Sequence, residues 1–98
     1  MRYMATNPHT GQDICSYPTA DKFELRATIE RSGEAFESWK RTSYTERAAA
    51  LHRVAELLRA NLESDARLMA EEMGKPLAQG RGEVEKCAWA CEYYAQHT

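Results

Sequence analysis

Two cysteines near the end of the chain have a spacing at which metal ligands occur. Cys87 and Cys91 are four residues apart, so a helix would place both thiols on one face. A structural zinc site needs four ligands, and His97 is the one further candidate nearby. We therefore predict no metal site here and interpret both cysteines as small buried hydrophobic residues.

The third cysteine and the three histidines do not form a recognisable catalytic arrangement. Cys15 ends the segment Gly11-Gln12-Asp13-Ile14-Cys15, where no local base is evident to activate its thiol. His9, His52 and His97 are scattered and have no Ser or Cys partner at an informative spacing. We predict that the chain contains no catalytic residues.

Two short polar segments at the start of the last quarter contain residue types that occur in binding sites. Gly80-Arg81-Gly82 is too short for a phosphate-binding loop and no strand precedes it, so a dinucleotide site is not predicted. Glu83 and Lys86 follow, with Trp89 and Tyr93 near them. These side chains either face a pocket or form a solvated helix face, and the residues alone leave both interpretations open.

The N-terminal region is the one place where strands are predicted. Asn7-Pro8-His9-Thr10-Gly11 combines three turn-forming residue types, since Asn bonds its own backbone, Pro presets φ and Gly accepts a positive φ. Tyr3–Thr6 and Gln12–Tyr17 flank this turn and are predicted to pair as a hairpin. A lone hairpin is marginally stable, so we expect it to need a partner surface.

A first helix is predicted from about Ala20 to Lys40. Thr19 is its predicted N-cap, and Asp21 in the first turn suits the helix dipole. Gly33 weakens the helix and is interpreted as a site where another backbone approaches closely. The apolar residues recur at helical spacing at Leu25, Ile29, Phe36 and Trp39.

A second, longer helical pattern begins after a capping box. Ser43 and Glu46 have the spacing at which each caps the other's backbone. Asn61–Asp65 contains weaker helix formers, so a bend or break is expected there. Gly74 ends the pattern. Its apolar stripe consists of Leu51, Ala55, Leu58, Leu62, Ala66, Met69 and Met73. In the isolated chain we expect this stripe to be exposed and to drive association between copies.

A sharp reversal separates this pattern from the last helix. Gly74 can close one helix in the left-handed conformation, and Pro76 can start the next. The last helix is predicted from about Leu77 to Gln96. Gly80 and Gly82 are costly in it unless something packs tightly there. Its predicted apolar stripe is Leu77, Val84, Cys87, Ala88, Cys91, Tyr94 and Ala95.

Composition limits the classes of protein that this chain fits. Its 98 residues make one domain at most, and a net charge of −2 gives no reason to expect nucleic acid as a partner. No apolar run approaches the ~20 residues of a membrane span, so no membrane partner is expected. Three cysteines cannot all pair, which favours a reduced, cytoplasmic protein. The predicted fold is mainly α, with three to four helices, a helical hairpin at Gly74–Pro76 and a short N-terminal β-hairpin.

Five motifs over residues 6–97 together resemble the NAD(P)-dependent aldehyde dehydrogenases in order and spacing. They are the turn Asn7-Pro8-His9-Thr10-Gly11, the helix end Ala35-Phe36-Glu37-Ser38-Trp39, the helix start Glu46-Arg47 with Leu51, the reversal Glu72-Met73-Gly74-Lys75-Pro76, and the last-helix residues Glu83-Val84 with Tyr93-Tyr94-Ala95. Within the family, the short N-terminus and the run Gly74–Lys86 most resemble bacterial succinate-semialdehyde dehydrogenases.

The resemblance implies that residues 1–98 are the N-terminal helical part of a cofactor-binding domain in a longer α/β enzyme with a Rossmann-like sheet. That enzyme would oxidise an aldehyde to a carboxylic acid with NAD or NADP. Its nucleophilic Cys, general-base Glu and nicotinamide loop lie downstream in the family, and Cys15 does not match the Gly-Gln-x-Cys spacing. The 98-residue chain is therefore expected to be inactive and to bind no cofactor itself.

The resemblance also suggests where this segment meets the substrate. By register from Tyr93-Tyr94-Ala95, Glu83, Lys86 and Ala90 are expected on the side of the aldehyde tunnel, where Lys86 would attract an acidic semialdehyde. The implied partners are the rest of the enzyme, a small aldehyde and further copies in a homo-oligomer. The alternative is a free-standing helical interaction module that shares these motifs and has no catalytic activity.

Overall fold

The computed structural model describes residues 1–97, which form a two-stranded hairpin followed by four helices. The predicted mainly α architecture with an N-terminal hairpin is confirmed. The elements are β1 (Arg2–Thr6), β2 (Asp13–Pro18), α1 (Lys22–Trp39), α2 (Tyr44–Ala60), α3 (Leu62–Met73) and α4 (Leu77–Gln96).

The two strands are antiparallel and are joined by the turn that the sequence predicts. Arg2 lies opposite Pro18, and the register becomes irregular beside Thr6. In the turn, the side-chain oxygen of Asn7 accepts hydrogen bonds from the backbone of the two residues beyond Pro8, at 2.9 and 3.3 Å. Gly11 has a φ of 76°, the left-handed conformation that a residue with a Cβ adopts at a cost.

Helix α1 begins two residues later than predicted, because its N-cap is Asp21 and not Thr19. The Asp21 carboxylate accepts from the Glu24 backbone N–H at 2.8 Å, and the Glu24 carboxylate accepts from the Asp21 N–H at 2.8 Å. This reciprocal capping box satisfies two backbone donors at once. Thr19 instead donates its hydroxyl to the Met1 carbonyl at 3.1 Å, where it closes the open end of the hairpin.

Helix α1 buries none of its residues. Its apolar stripe, called here the α1 apolar face, comprises Leu25, Ile29, Phe36 and Trp39, which are 49–62% exposed. Within residues 1–97, α1 forms no extended packing interface with another element. The expected close approach at Gly33 is wrong, since a Cβ built there meets nothing within 4 Å.

The second helical pattern is broken at Asn61 into α2 and α3, as its weak helix formers predict. The side-chain amide of Asn61 donates to the Leu57 carbonyl at 2.8 Å, which satisfies an acceptor at the end of α2. At the start of α2, the capping box of Ser43 and Glu46 is confirmed, with N–H to oxygen distances of 2.7 and 3.1 Å.

The core is the line along which α4 crosses α2 and α3. Val84 and Ala88 of α4 are buried there, as are Ala55 of α2 and Ala66 of α3. Because these side chains are small, the helices approach closely: a Cβ built on Gly80 would lie 3.3 Å from Ala66. The predicted tight packing is confirmed at Gly80 and is wrong at Gly82, where a Cβ meets nothing within 4 Å among residues 1–97.

Two predictions about burial are corrected by this core. The stripe from Leu51 to Met73 is not left exposed as a whole, because α4 covers its middle, although Met73 is 77% exposed. Cys87 is not buried, whereas Cys91 is half-buried. The buried line of α4 runs through Gly80, Val84, Ala88 and Ala95, which turns Cys87 towards solvent.

None of the helices in the described residues is long and apolar enough to cross a membrane.

Candidate functional site

The residues predicted for the substrate side lie together on α4. Glu83, Lys86 and Ala90, joined by Cys87, line a depression of about 350 Å³. Their spacings of three and four residues place them on one face of the helix. This face differs from the buried line that packs on α2 and α3, so these side chains are free to meet another part of a larger molecule.

The two charges at this depression are not equivalent. The Glu83 carboxylate forms an ion pair with Lys75, in the reversal before α4. No ion pair is found for Lys86 among residues 1–97.

The reversal before α4 is held against the turn of the hairpin. Gly74 has a φ of 70°, and its N–H donates to the Ala70 carbonyl at 3.0 Å. A Cβ built on Gly74 would lie 3.2 Å from the ring of Pro8. The sequence marks both turns but not their contact. Between them lies a second depression of about 350 Å³, lined by Asn7, His9, Ala70, Glu71, Gly74, Lys75, Pro76 and Leu77.

Ion pairs link α4 to α2 and to α3. Arg59 of α2 bonds the carboxylates of Glu85 and Glu92, the first at 2.8 Å. Arg81 bonds Glu63 of α3 at 2.7 Å. Hydrogen bonds from these arginines lower the pKa of Glu92 and of Glu63 below the ordinary value of 4.5.

The remaining reactive side chains lie apart from one another. In the described part of the chain, no group of three His, Cys, Asp or Glu residues is placed to hold a metal ion. The Cys15 thiol is exposed on β2, where its proximity raises the pKa of Tyr17 above the ordinary value. The His97 ring stacks on Tyr93 with centroids 4.2 Å apart.

The aldehyde dehydrogenase family model matches residues 1–98, the whole chain. The chain belongs to the aldehyde dehydrogenase family. The alternative of a free-standing interaction module assumes that the chain shares only short motifs with this family by chance. A match over the whole chain argues against that assumption.

Among similar proteins, the succinate-semialdehyde dehydrogenase (NADP+) of Deinococcus radiodurans is 36% identical over 94 residues, covering 96% of this chain and 20% of that protein. The glutarate-semialdehyde dehydrogenase of Pseudomonas putida is 40% identical over 91 residues, covering 93% of this chain and 19% of that protein.

A solved structure agrees with these relatives. The succinic semialdehyde dehydrogenase of Streptococcus pyogenes, in complex with NADP+, superposes with a TM-score of 0.89 at 30% identity. The match covers 96% of this chain and 21% of that chain. The aldehyde dehydrogenase resemblance is thus confirmed, as is the likeness to succinate-semialdehyde dehydrogenases, and the chain spans about a fifth of the length of the relatives it matches.

Proposed function

We propose that residues 1–98 are the N-terminal helical part of the cofactor-binding domain of an enzyme that oxidises an acidic semialdehyde, with succinate semialdehyde as the substrate, to the carboxylic acid with NAD or NADP. The observation that carries this proposal is that relatives named for succinate and glutarate semialdehyde both match more than nine tenths of the chain. Both substrates are aldehydes with a carboxylate at the far end.

In this proposal the segment contributes architecture and one edge of the substrate path, while the chemistry and cofactor binding belong to the rest of the enzyme. The 98-residue chain alone should form no detectable NADH or NADPH from any aldehyde.

The α4 face with Glu83, Lys86 and Ala90 is proposed as the part that meets the substrate. Lys86 supplies a positive charge that forms no ion pair within residues 1–97, and Glu83, which lines the same depression, is paired with Lys75. Two unit charges about 4 Å apart interact by about 1 kcal/mol in water and more strongly where water is excluded. A lysine at the entrance would therefore favour a substrate with a carboxylate over a neutral aldehyde.

A chimera tests the proposed function. The matching N-terminal part of the Deinococcus radiodurans enzyme is replaced by this chain, and formation of NADPH from succinate semialdehyde is measured. We expect an active chimera, because the elements on both sides of the junction belong to one family. A folded chimera without activity towards any aldehyde would contradict the proposal.

The chimera also tests Lys86. Replacing Lys86 by Ala should raise the KM for succinate semialdehyde about fivefold, as expected for the loss of about 1 kcal/mol, and leave the KM for a neutral aldehyde unchanged. Arg53→Ala is the matched control, since Arg53 pairs with Glu56 on the exposed side of α2. Equal changes in KM for both substrates would show that Lys86 does not lie on the substrate path. Such a result would not contradict the proposed aldehyde oxidation.

We further propose that the enzyme is a cytoplasmic homo-oligomer. The three free thiols suit a reducing compartment, and the α1 apolar face is a surface that more protein would cover. Sedimentation velocity of the chimera should give a mass of at least two subunits. A monomer over a wide range of concentration would contradict this part of the proposal.

A further inference from the structure

The corner between α1 and α2 contains a polar cluster that none of the functions above uses. Helix α1 leaves its last carbonyl groups without partners inside the helix, and its last turn has no basic residue. Arg47, in the first turn of the next helix, donates from Nη2 to the carbonyls of Trp39 at 3.1 Å and Lys40 at 3.3 Å. The backbone N–H groups of Arg41 and Thr42 already bond the Ser38 and Trp39 carbonyls at 3.2 and 3.0 Å, and the guanidinium adds bonds to the end of α1 from the next helix.

Two further sets of contacts hold this guanidinium in place. Its Nε donates to the Thr42 hydroxyl at 2.9 Å, and that hydroxyl donates to the Trp39 carbonyl at 2.7 Å. The guanidinium carbon lies 5.7 Å from the Trp39 ring centroid and 5.9 Å from that of Tyr44, within the range of cation–π attraction. Arg47 therefore bonds the last residue of one helix and packs on the first residue of the next.

These contacts matter for the direction of α1 because, apart from the backbone hydrogen bonds of the corner itself, few contacts within residues 1–97 restrain that helix. None of its residues is buried, and within residues 1–97 it has no extended interface with another element. The corner at residues 40–43 is consequently the place where the angle between α1 and α2 is set.

We propose that Arg47 is a positioning residue that fixes the angle between α1 and α2 and thereby presents the α1 apolar face in one direction. The planar fork of the guanidinium is essential, because it reaches two carbonyls and a hydroxyl at once. A lysine at the same position keeps the positive charge near the helix end but cannot bridge these three acceptors. This role does not depend on which aldehyde the enzyme oxidises.

The direction of α1 is measurable in the 98-residue chain by amide residual dipolar couplings. In the unmodified chain, one alignment tensor should fit α1 and α2–α4 together. In Arg47→Ala and in Arg47→Lys, the couplings of α1 should shrink and no longer fit that tensor, while Arg53→Ala should behave as the unmodified chain. Retention of the common tensor in Arg47→Ala would overturn the proposal, and retention in Arg47→Lys would show that charge alone suffices and overturn the bridging role.

Trypsin provides an independent readout at the corner itself. Loss of the bridge should raise the rate of cleavage after Lys40 and Arg41 about fivefold, because the corner then opens more often. Thr42→Val keeps Arg47 and removes the bridging hydroxyl. This variant tests the role of the cluster if Arg47→Ala does not fold. An unchanged cleavage rate in Thr42→Val, with α1 still aligned, would count against the cluster as the determinant of the angle.

Discussion

The contact between Gly80 and Ala66 leads to a prediction whose sign differs from the usual effect of the same substitution. Gly80 lies within α4, where alanine is ordinarily preferred. A Cβ added there would lie 3.3 Å from the Cα, the Cβ and the carbonyl oxygen of Ala66, which is fully buried. Two of these three atoms belong to the backbone, so a change of side-chain rotamer cannot relieve the contact.

The expected free energy combines two opposing effects. Replacing glycine by alanine inside a helix stabilises it by about 1 kcal/mol, because the unfolded chain loses freedom. Forcing an extra methyl group into a closely packed contact costs roughly 1–3 kcal/mol, since the helices must move apart. The net result for Gly80→Ala is a loss of about 1 kcal/mol in the free energy of unfolding.

Gly82→Ala is the matched control in the same helix. A Cβ at Gly82 meets nothing within 4 Å, so only the helix preference remains and the chain should gain about 0.5–1 kcal/mol. Urea denaturation followed by far-UV circular dichroism should therefore separate the two variants by roughly 2 kcal/mol. If Gly80→Ala were stabilised as much as Gly82→Ala, the packing of α4 on α3 described here would be wrong.

Three further changes should alter stability in defined directions. Gly74→Ala should lower the free energy of unfolding by about 1–2 kcal/mol, because the added Cβ is strained at a φ of 70° and contacts the Pro8 ring. Urea denaturation measures this change. Asp21→Ala removes the N-cap of α1 and should lower the free energy of unfolding by about 1 kcal/mol, which is measured as a lower urea midpoint. Glu63 and Glu92 have pKa values held below 4.5, so their stabilisation is present above pH 4.5 and lost as the pH falls through the folded-state values. In the variant with both Glu63→Gln and Glu92→Gln, the free energy of unfolding should decline less as the pH is lowered. An unchanged decline would contradict the role of these two ion pairs.

Much of the fold could be predicted from short-range patterns. The turn at Asn7–Gly11, the capping box of Ser43 and Glu46, the break at Asn61 and the reversal at Gly74 are all where the sequence places them. Each depends on residues within about four positions of one another, so the interaction is already present in the local sequence. The N-cap of α1 was misassigned because Thr19 and Asp21 are both competent caps, and the reciprocal bond to Glu24 favours the second.

The sequence places Glu83, Lys86 and Ala90 along one helix, but which face of that helix is buried depends on the elements that pack against it. The spacing of Glu83, Lys86 and Ala90 places them on one side of α4, and the structure brings them around one depression. The pairing of Glu83 with Lys75 is not visible in the sequence, although their charges are opposite and eight residues apart. The contact of the hairpin turn with the reversal before α4 joins residues too distant in sequence for any local pattern to indicate.

The sequence by itself determined the order of the helices and strands, the left-handed glycines Gly11 and Gly74, and membership of the aldehyde dehydrogenase family. Only the tertiary structure decided which apolar residues are buried. The stripes of α1 and of α2–α3 look alike in sequence, yet α4 packs on the second and leaves the α1 apolar face exposed. Within α4, the close packing of Gly80 on Ala66 places the face that contains Gly80 against α3. Cys87 lies on another face and is exposed to solvent. The reason is that apolar spacing specifies a face to be buried, whereas the partner that buries it is set by helix–helix packing between segments distant in the chain.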